Sequence, residues 1–430
     1  MARTSGCLIL LLAAGAAILT QQITVEATRA NAAMRLNARL YIITVQDLDL
    51  PADYVHCMAQ RFASYKRFGA YTLGVEMSMA LKLPTHESFT RVWRPEEANL
   101  FFVEYDPSVD LGCSHCTVGF DTLAHRLTRF HGGDASWRNQ PHFLASSRPS
   151  DWIPRQLLRK YGQRKVSERG SPCFMDHDAR IIKFVEEKWG RRNTRRWNST
   201  IMDKIVGVPK TTDFADDLGH RKSIAALFEA SASPRPHLVS FVGKPKTPSR
   251  KRFVKACEAL PDEQCKVVDL AKKGHPTGTR IVEVVKRIYS QSTFCFQHSG
   301  DDLTRSGVWD AMFSGCIPII ISPHILDTQY SLHVPHPERV SVLFGKPRDS
   351  GDVRTAIAEL AHMKRARIRG MQQAIADLLP TISWTNGAFV GRAVDYLMQG
   401  PGVAADFDEG TRERRQEGPP VRTVTVSGTA

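Results

Sequence analysis

Short apolar runs rich in β-branched and aromatic residues recur along most of the chain. Runs with so little polar alternation predict strands buried on both faces, here at 39–45, 99–104, 205–208, 237–242, 266–270, 292–296 and 317–321. Segments with helical spacing lie between them, at 54–68, 95–98, 253–259, 280–291, 306–314 and 353–379. Buried strands that alternate with helices predict an α/β fold built on parallel sheets.

The length of the chain indicates two domains. At 430 residues, it is longer than a single hydrophobic core usually supports. The small, proline-rich segment 231–236 predicts the boundary. We therefore expect an N-terminal domain over 28–235 and a C-terminal domain over 236–402. Residues 403–430 lack apolar periodicity, which predicts a disordered tail.

The first residues predict entry into the secretory pathway. The run from Cys7 to Leu19 carries no charge and follows Arg3. As a helix it would span roughly 20 Å, less than the ~30 Å of a bilayer core, so residues 1–27 predict a signal peptide cleaved before Thr28. The alternative is an uncleaved signal anchor of a single-pass type II protein, with Thr20–Thr24 completing the span. Both alternatives place the folded part of the chain in the lumen of the secretory pathway.

Cysteine content agrees with an oxidising compartment. Eight of the nine cysteines lie beyond the targeting segment, and an even number there permits disulfides. Cys257 and Cys265 are close enough in sequence for a local bridge, and form the pair that we predict first. Cys113-Ser-His-Cys116 favours a disulfide over half a zinc site, because no second ligand pair follows. Asn198-Ser-Thr is a glycosylation sequon.

The charge indicates an anionic partner. The net charge is +14, and two stretches, 151–222 and 244–287, each carry a net +7. Hydrophobic residues at 42% and charged residues at 24% exclude a disordered chain and a polytopic membrane protein. The segment 188–197 interleaves basic and aromatic residues, as nucleic-acid or heparin-type binding surfaces do. Secretory targeting disfavours nucleic acid as the anionic partner, so an acidic glycan is the remaining candidate.

Residues 294–322 resemble the exostosin family, glycosyltransferase family 47. The matching positions are Phe294-Cys295, Gly300-Asp301, Asp310-Ala311 and Gly315-Cys-Ile-Pro-Ile319. Weaker matches follow the family order upstream, at 40–43, 94–103, 137–143 and 239–243, the last followed by Arg252 and Cys257. The resemblance covers roughly 39–400. Pro141 stands where the family has Asp, and Gly307 where it often has a second Arg.

The resemblance implies a GT-B architecture. Such a protein has two Rossmann-like domains with parallel sheets, and the nucleotide sugar binds the C-terminal one. Independently, ligands of open parallel sheets bind beyond the carboxyl ends of the strands, where helix N-termini attract phosphate. We expect the nucleotide sugar to contact Gly243, Arg250, Arg252, Ser299, Gly300, Asp301, Asp302, Thr304, Arg305, Ser306 and Asp310. The alternative for the 297–305 loop is an ordinary helix start capped by Asp301 or Thr304.

Individual roles follow for three of these residues. Asp310 is expected to accept hydrogen bonds from the ribose hydroxyls. Arg252, then Arg250, is expected to neutralise the leaving diphosphate in place of a metal ion.

Asp47-Leu-Asp49 mimics a metal-binding DxD motif, but it comes too early in the chain and predicts a loop with no metal.

The implied reaction is an inverting sugar transfer. A general base deprotonates an acceptor hydroxyl, which then attacks the anomeric carbon. The candidates for that base are Asp106, His142, Asp176 and Asp178. The donor substrate would be a nucleotide-diphosphate sugar, with no cofactor or metal, and the enzyme a hexosyl- or glycuronosyltransferase of polysaccharide biosynthesis.

The expected partners follow from that reaction. They are a nucleotide sugar and a glycan acceptor that could be acidic, with no nucleic acid, and with membrane contact only through an N-terminal anchor. The expected location is the Golgi lumen or membrane. The alternative function is a catalytically inactive exostosin-like partner in a complex with another glycosyltransferase, or an acidic-glycan-binding protein.

Overall fold

A computed structural model gives the architecture of the protein. It describes residues 38–68, 89–105, 118–133, 140–146, 181–185, 205–207, 235–272, 279–298, 306–321, 326, 330–344 and 349–382. Several predicted features lie outside these ranges: the targeting segment 1–27, Asp106, the Cys113–Cys116 motif, Asp176, Asp178, Asn198, Ser299, Gly300, Asp301, Asp302, Thr304, Arg305 and the tail 403–430.

The first sheet contains six parallel strands. In chain order they are β1 (Arg39–Ile43), β2 (Thr90–Arg91), β3 (Leu100–Val103), β4 (His142–Ser146), β5 (Ile181–Val185) and β6 (Ile205–Gly207). Their order in the sheet is β2-β1-β3-β4-β5-β6. The helices described with it are α1 (Ala52–Phe68), a 3₁₀ turn (Pro95–Glu97) and α2 (Gly119–Phe130).

The second sheet contains five parallel strands in the order β11-β10-β9-β7-β8. They are β7 (His237–Gly243), β8 (Cys265–Asp269), β9 (Ser292–Gln297), β10 (Ile317–Ile320) and β11 (Val342–Leu343). The accompanying helices are α3 (Pro248–Cys257), α4 (Thr279–Ser290), α5 (Ser306–Phe313), α6 (Pro337–Val340), α7 (Ser350–Ala361) and α8 (Arg365–Ile382). The predicted α/β class with two Rossmann-like parallel sheets, the content of a GT-B fold, is confirmed.

The two sheets share one strand order. In each, the first strand in sequence lies between the second and the third, and later strands extend beyond the third. The crossover from the first strand to the second therefore runs one way across the sheet. The crossover from the second strand to the third runs the opposite way. Such a switch point opens a crevice at the carboxyl ends of those two strands. The first sheet has it at β1/β3 and the second at β7/β9.

The second sheet is covered on both faces, as the continuous apolar strands predict. Phe241 and Phe296 point to one face and meet Phe253 of α3, whose ring stacks on that of Phe296 with 3.5 Å between centroids. On the other face Val242 and Cys295 form a second cluster with side chains of α4 and α5. Neighbouring residues of one strand thus face opposite layers.

Arg235 links several elements at the amino-terminal edge of this sheet by hydrogen bonds. Its guanidinium donates to the carbonyl oxygens of Tyr289, Ser292 and Ser314, at 2.7–3.4 Å. Burial lowers its pKa to about 10. The strand that follows begins at His237, so the predicted domain boundary at 231–236 falls between the last strand of the first sheet and the first strand of the second.

Two helix boundaries differ from the prediction. The helix expected to begin at Phe253 begins at Pro248, because the Thr247 hydroxyl caps it and proline suits a first helical turn. The helix expected over 353–379 is two helices, α7 and α8, broken at 362–364. In the break Met363 packs against the core of the second sheet. The hydrophobic pattern also did not predict α2, α6, β2, β4, β5 and β11.

Two disulfides fasten the second sheet. The predicted Cys257–Cys265 bridge is confirmed, and joins the end of α3 to the start of β8. A second bridge, Cys295–Cys316, was not predicted, and links β9 to the residue that precedes β10. Among the described residues, no helix has the length and apolar character needed to cross a membrane.

Candidate functional site

Gly243, one of the predicted donor residues, ends β7 at the β7/β9 switch point. Ser240 of β7 pairs with Cys295 of β9, and continuing that register places Gly243 level with His298. Both are buried. Gly243 ends its strand with a φ of 156°, a value that favours glycine. Ser306, the first residue of α5, follows the loop that leaves β9 and is partly exposed.

The N-terminus of α3 brings positive charge to this edge. Residues 248–252, predicted as loop, are its first turns, so Arg250 and Arg252 lie on a helix. The Arg250 side chain is 6% exposed and donates to the carbonyl of Lys244 at 3.1 Å, which fixes the segment after β7. Arg252 is partly exposed. The first turn holds no acidic residue, so the helix dipole and the cations favour an anion together.

Close packing explains the glycine at position 307. A Cβ there would lie 2.6 Å from Oε1 of Gln297. Gln297 is 1% exposed, and its Nε2 donates to the hydroxyl of Tyr289 at 3.0 Å. A side chain at 307, including the second arginine common in the family, would therefore displace the amide group of Gln297.

Asp310 lies deeper than the ribose role suggests. It is on α5 and only 3% exposed. Its carbonyl accepts the hydroxyl of Ser314 at 2.8 Å. Contact between Asp310 and a ribose stays a prediction, as does the contact of Gly243, Arg250, Arg252 and Ser306 with a diphosphate.

The DxD-like segment is a turn. Asp47 accepts hydrogen bonds from the backbone N–H and the hydroxyl of Thr44, at 2.8 and 2.9 Å. Asp49 has a φ of 47° and pairs with Arg126. The two carboxylates thus have partners in the fold. No cluster of three or more potential metal ligands occurs within the described residues.

Glu104, at the β1/β3 crevice, is a functional candidate that the sequence analysis missed. It follows β3 directly, is partly buried, and accepts a hydrogen bond from the N–H of Val45 at 3.3 Å. Burial raises its pKa, and the negative charge of Asp47 adds to that rise, while the Val45 hydrogen bond opposes it. The signal available in the sequence was an acidic residue at the carboxyl end of a buried strand.

His142, a candidate base, lies away from that crevice. It pairs with Phe101 of β3 and stacks on its ring with 4.9 Å between centroids. It is therefore three residues, roughly 10 Å, below the level of Glu104. Its Nδ1 donates to the carbonyl of Gln140 at 2.9 Å, so Nε2 accepts from Nε2 of His131 at 3.0 Å. Burial lowers the pKa of both histidines to about 4. This position does not favour a role in catalysis.

Comparison with known proteins identifies the family. Residues 49–344 match the profile of the Exostosin GT47 domain, which is more than half of the chain. The chain belongs to the exostosin GT47 family. The resemblance inferred from the sequence is confirmed, and with it the glycosyltransferase class.

Plant proteins are among the relatives of this GT47 chain. A probable xyloglucan galactosyltransferase, GT17, of Arabidopsis thaliana is 24% identical over 339 residues, covering 74% of the chain and 67% of that protein. The xyloglucan-specific galacturonosyltransferase 1 of the same plant is 29% identical, covering 62% of the chain and 42% of that protein. The chain thus spans between two fifths and two thirds of the length of these relatives. A solved α1,3-fucosyltransferase with GDP aligns at 12% identity over 73% of the chain and 81% of that protein, with a TM-score of 0.33.

Proposed function

We propose that this GT47 chain transfers a sugar from a nucleotide-diphosphate donor to a glycan acceptor. The supporting observation is that Gly243 ends β7 at the β7/β9 switch point, where parallel sheets bind their ligands. Arg250 lies in the first turn of α3, the helix that follows β7, and Ser306 begins α5, the helix that follows β9. The β1/β3 crevice of the first sheet is the proposed acceptor side.

The proposed reaction is inverting and needs no metal. Arg252 and the other cations of the α3 N-terminus would neutralise charge on the leaving diphosphate. Helix N–H groups add to this because they point toward the same edge. Arg250 would act mainly by fixing the segment after β7, since its guanidinium is bonded to the Lys244 carbonyl.

The proposed substrates take their class from the relatives and from the charge. The relatives are named for xyloglucan galactosyl and galacturonosyl transfer, which supports a hexose or a hexuronic acid as the sugar transferred here. The net charge of +14 suits the diphosphate and a uronic acid on donor or acceptor.

Two disulfides in the second sheet support a secretory, Golgi-type location.

A binding screen followed by a transfer assay tests the proposal. Thermal-shift measurements with UDP, GDP and their galactose, galacturonate and fucose derivatives should show one nucleotide family that raises the midpoint. Xyloglucan and pectic oligosaccharides then serve as acceptors. The absence of any shift in folded protein would refute the enzyme function, and binding without transfer would favour the inactive partner.

Arg252→Ala tests the donor site directly. Losing one charge-assisted contact with the diphosphate should weaken nucleotide binding about tenfold or more. Lys255→Ala is the matched control, because Lys255 is exposed in the last turn of the same helix. Isothermal titration of both variants gives the comparison. Equal affinities would remove Arg252 from the site.

A further inference from the structure

The β1/β3 switch point gives the first sheet a defined ligand crevice. Hydrogen bonds close the turn after β1: Asp47 is bonded to Thr44, and the N–H of Leu50 donates to the carbonyl of Val45 at 3.2 Å. The end of β3 lies beside it, since the N–H of Glu104 donates to the carbonyl of Ile43 at 2.9 Å. The two strand ends are therefore joined at this edge.

Glu104 is the described carboxylate that bridges these strand ends. Its backbone continues the β3 pairing while its carboxylate accepts the Val45 N–H of the β1 turn. Both backbone and side chain are thus held, which sets the direction of the carboxylate. Asp47 and Asp49 at the same edge are bonded to Thr44 and Arg126. A carboxylate has about four lone-pair sites, so the Val45 bond alone does not saturate Glu104.

The environment of Glu104 suits a group that takes up a proton. Partial burial raises its pKa above that of an exposed glutamate, and Asp47 is the charged neighbour that acts on it among the described residues. A carboxylate whose pKa is raised by burial is a stronger base than an exposed one. Tyr41 also lies near Asp47, and its own pKa is raised by burial and by that carboxylate.

We propose that Glu104 is the general base that deprotonates the acceptor hydroxyl, an inference that rests on the proposed sugar transfer. The hydroxyl proton passes to the Glu104 carboxylate as the hydroxyl oxygen bonds to the anomeric carbon of the donor sugar. The bond from that carbon to the diphosphate oxygen breaks, and its electron pair leaves with the nucleoside diphosphate. Glu104 thus takes the role for which Asp106, His142, Asp176 and Asp178 were candidates.

Glu104→Gln tests this role, because the amide keeps the size and an acceptor oxygen for the Val45 N–H but cannot take up a proton. We expect kcat to fall at least about 100-fold, with nucleotide affinity within twofold of wild type. In the wild type kcat/KM should fall as the pH drops through the pKa of Glu104, since the base must be ionised. That acidic limb should be absent from the residual activity of the variant.

Two further variants keep the test decisive. Glu104→Asp retains a carboxylate and should recover part of the activity, which a purely structural role would not require. Glu96→Gln is the control, because Glu96 is an exposed carboxylate of the same sheet region, close to Arg94. An unchanged kcat with a raised acceptor KM in Glu104→Gln would overturn the assignment. A wild type that binds nucleotide but transfers no sugar would overturn the proposed function and this role together.

Discussion

At the scale of single residues, Gly307 permits a close approach at the end of β9. The end of β9 and the start of α5 meet there, and the absent Cβ leaves room for the Gln297 side chain. Gln297 in turn bonds to Tyr289 of α4. The sequence showed this glycine only as a departure from the family pattern. Its reason is packing, which the spacing of residues in the sequence cannot reveal.

A pair of glycine substitutions tests this contact. Gly307→Ala should gain helix propensity but must displace buried Gln297, at a cost of about 1–3 kcal/mol. Gly370→Ala on α8 is the control, because Gly370 is exposed and no atom lies within 4 Å of its added Cβ. It should stabilise the protein by about 0.5–1 kcal/mol. Guanidinium unfolding measures both, and equal stabilities would contradict the packing argument.

At the scale of elements, the sequence predicted best where burial alone sets the structure. The runs at 237–242 and 317–321 form β7 and β10 nearly as predicted, because strands buried on both faces need only apolar side chains. Boundaries set by one interaction were missed, as at Thr247, whose cap starts α3 before the apolar pattern begins. The break between α7 and α8 has neither proline nor glycine, and Met363 packs there against the core of the second sheet.

The site follows the same division. The places of Gly243 at a strand end and Ser306 at a helix start could be predicted because such positions are visible in the sequence. Glu104 was visible only as an acidic residue after a buried strand, because its place beside the turn after β1 depends on strand order, which arises from pairing across the chain. The Cys295–Cys316 bridge depends on the pairing of β9 with β10 in the same way.

Removing each disulfide should separate their roles. The Cys295→Ala/Cys316→Ala pair opens a link across 21 residues, and Cys257→Ala/Cys265→Ala one across 8. Chain-entropy estimates give losses of about 3 and 2.5 kcal/mol in the free energy of unfolding. Nucleotide affinity should fall more for the first pair, because Cys295 lies two residues before the end of β9. Urea unfolding and titration measure both. Equal affinities would place the Cys295–Cys316 bridge outside donor binding.

At the scale of the whole molecule, the shared strand order gives each sheet one crevice, and the buried histidines give the first sheet a response to acid. His131 donates a hydrogen bond to His142, which requires the acceptor, His142, to be neutral. Protonation of His142 at Nε2 would place two N–H groups against each other. Each histidine has a folded pKa of about 4, below its ordinary value of 6.5.

Stability should therefore decline in mild acid. Below pH 6.5 the histidines of the unfolded chain become protonated, whereas those of the folded chain stay neutral until about pH 4. The free energy of unfolding therefore falls as the pH drops across that window. For buried His142 the slope approaches about 1.4 kcal/mol per pH unit. Urea unfolding from pH 7.5 to 4.5 measures it. His142→Phe should reduce the slope, whereas His125→Asn, at an exposed position of α2, should leave it unchanged.

The Cys295–Cys316 bridge also affects how this protein can be produced. Both cysteines are fully buried beside the central strands of the second sheet, so the bond must form before or while that core closes. A bacterial cytosol keeps thiols reduced. Export to the periplasm, or secretion from a eukaryotic host, supplies the oxidants and isomerases that pair them. The choice of expression compartment should thus govern the yield of correctly folded enzyme for every experiment above.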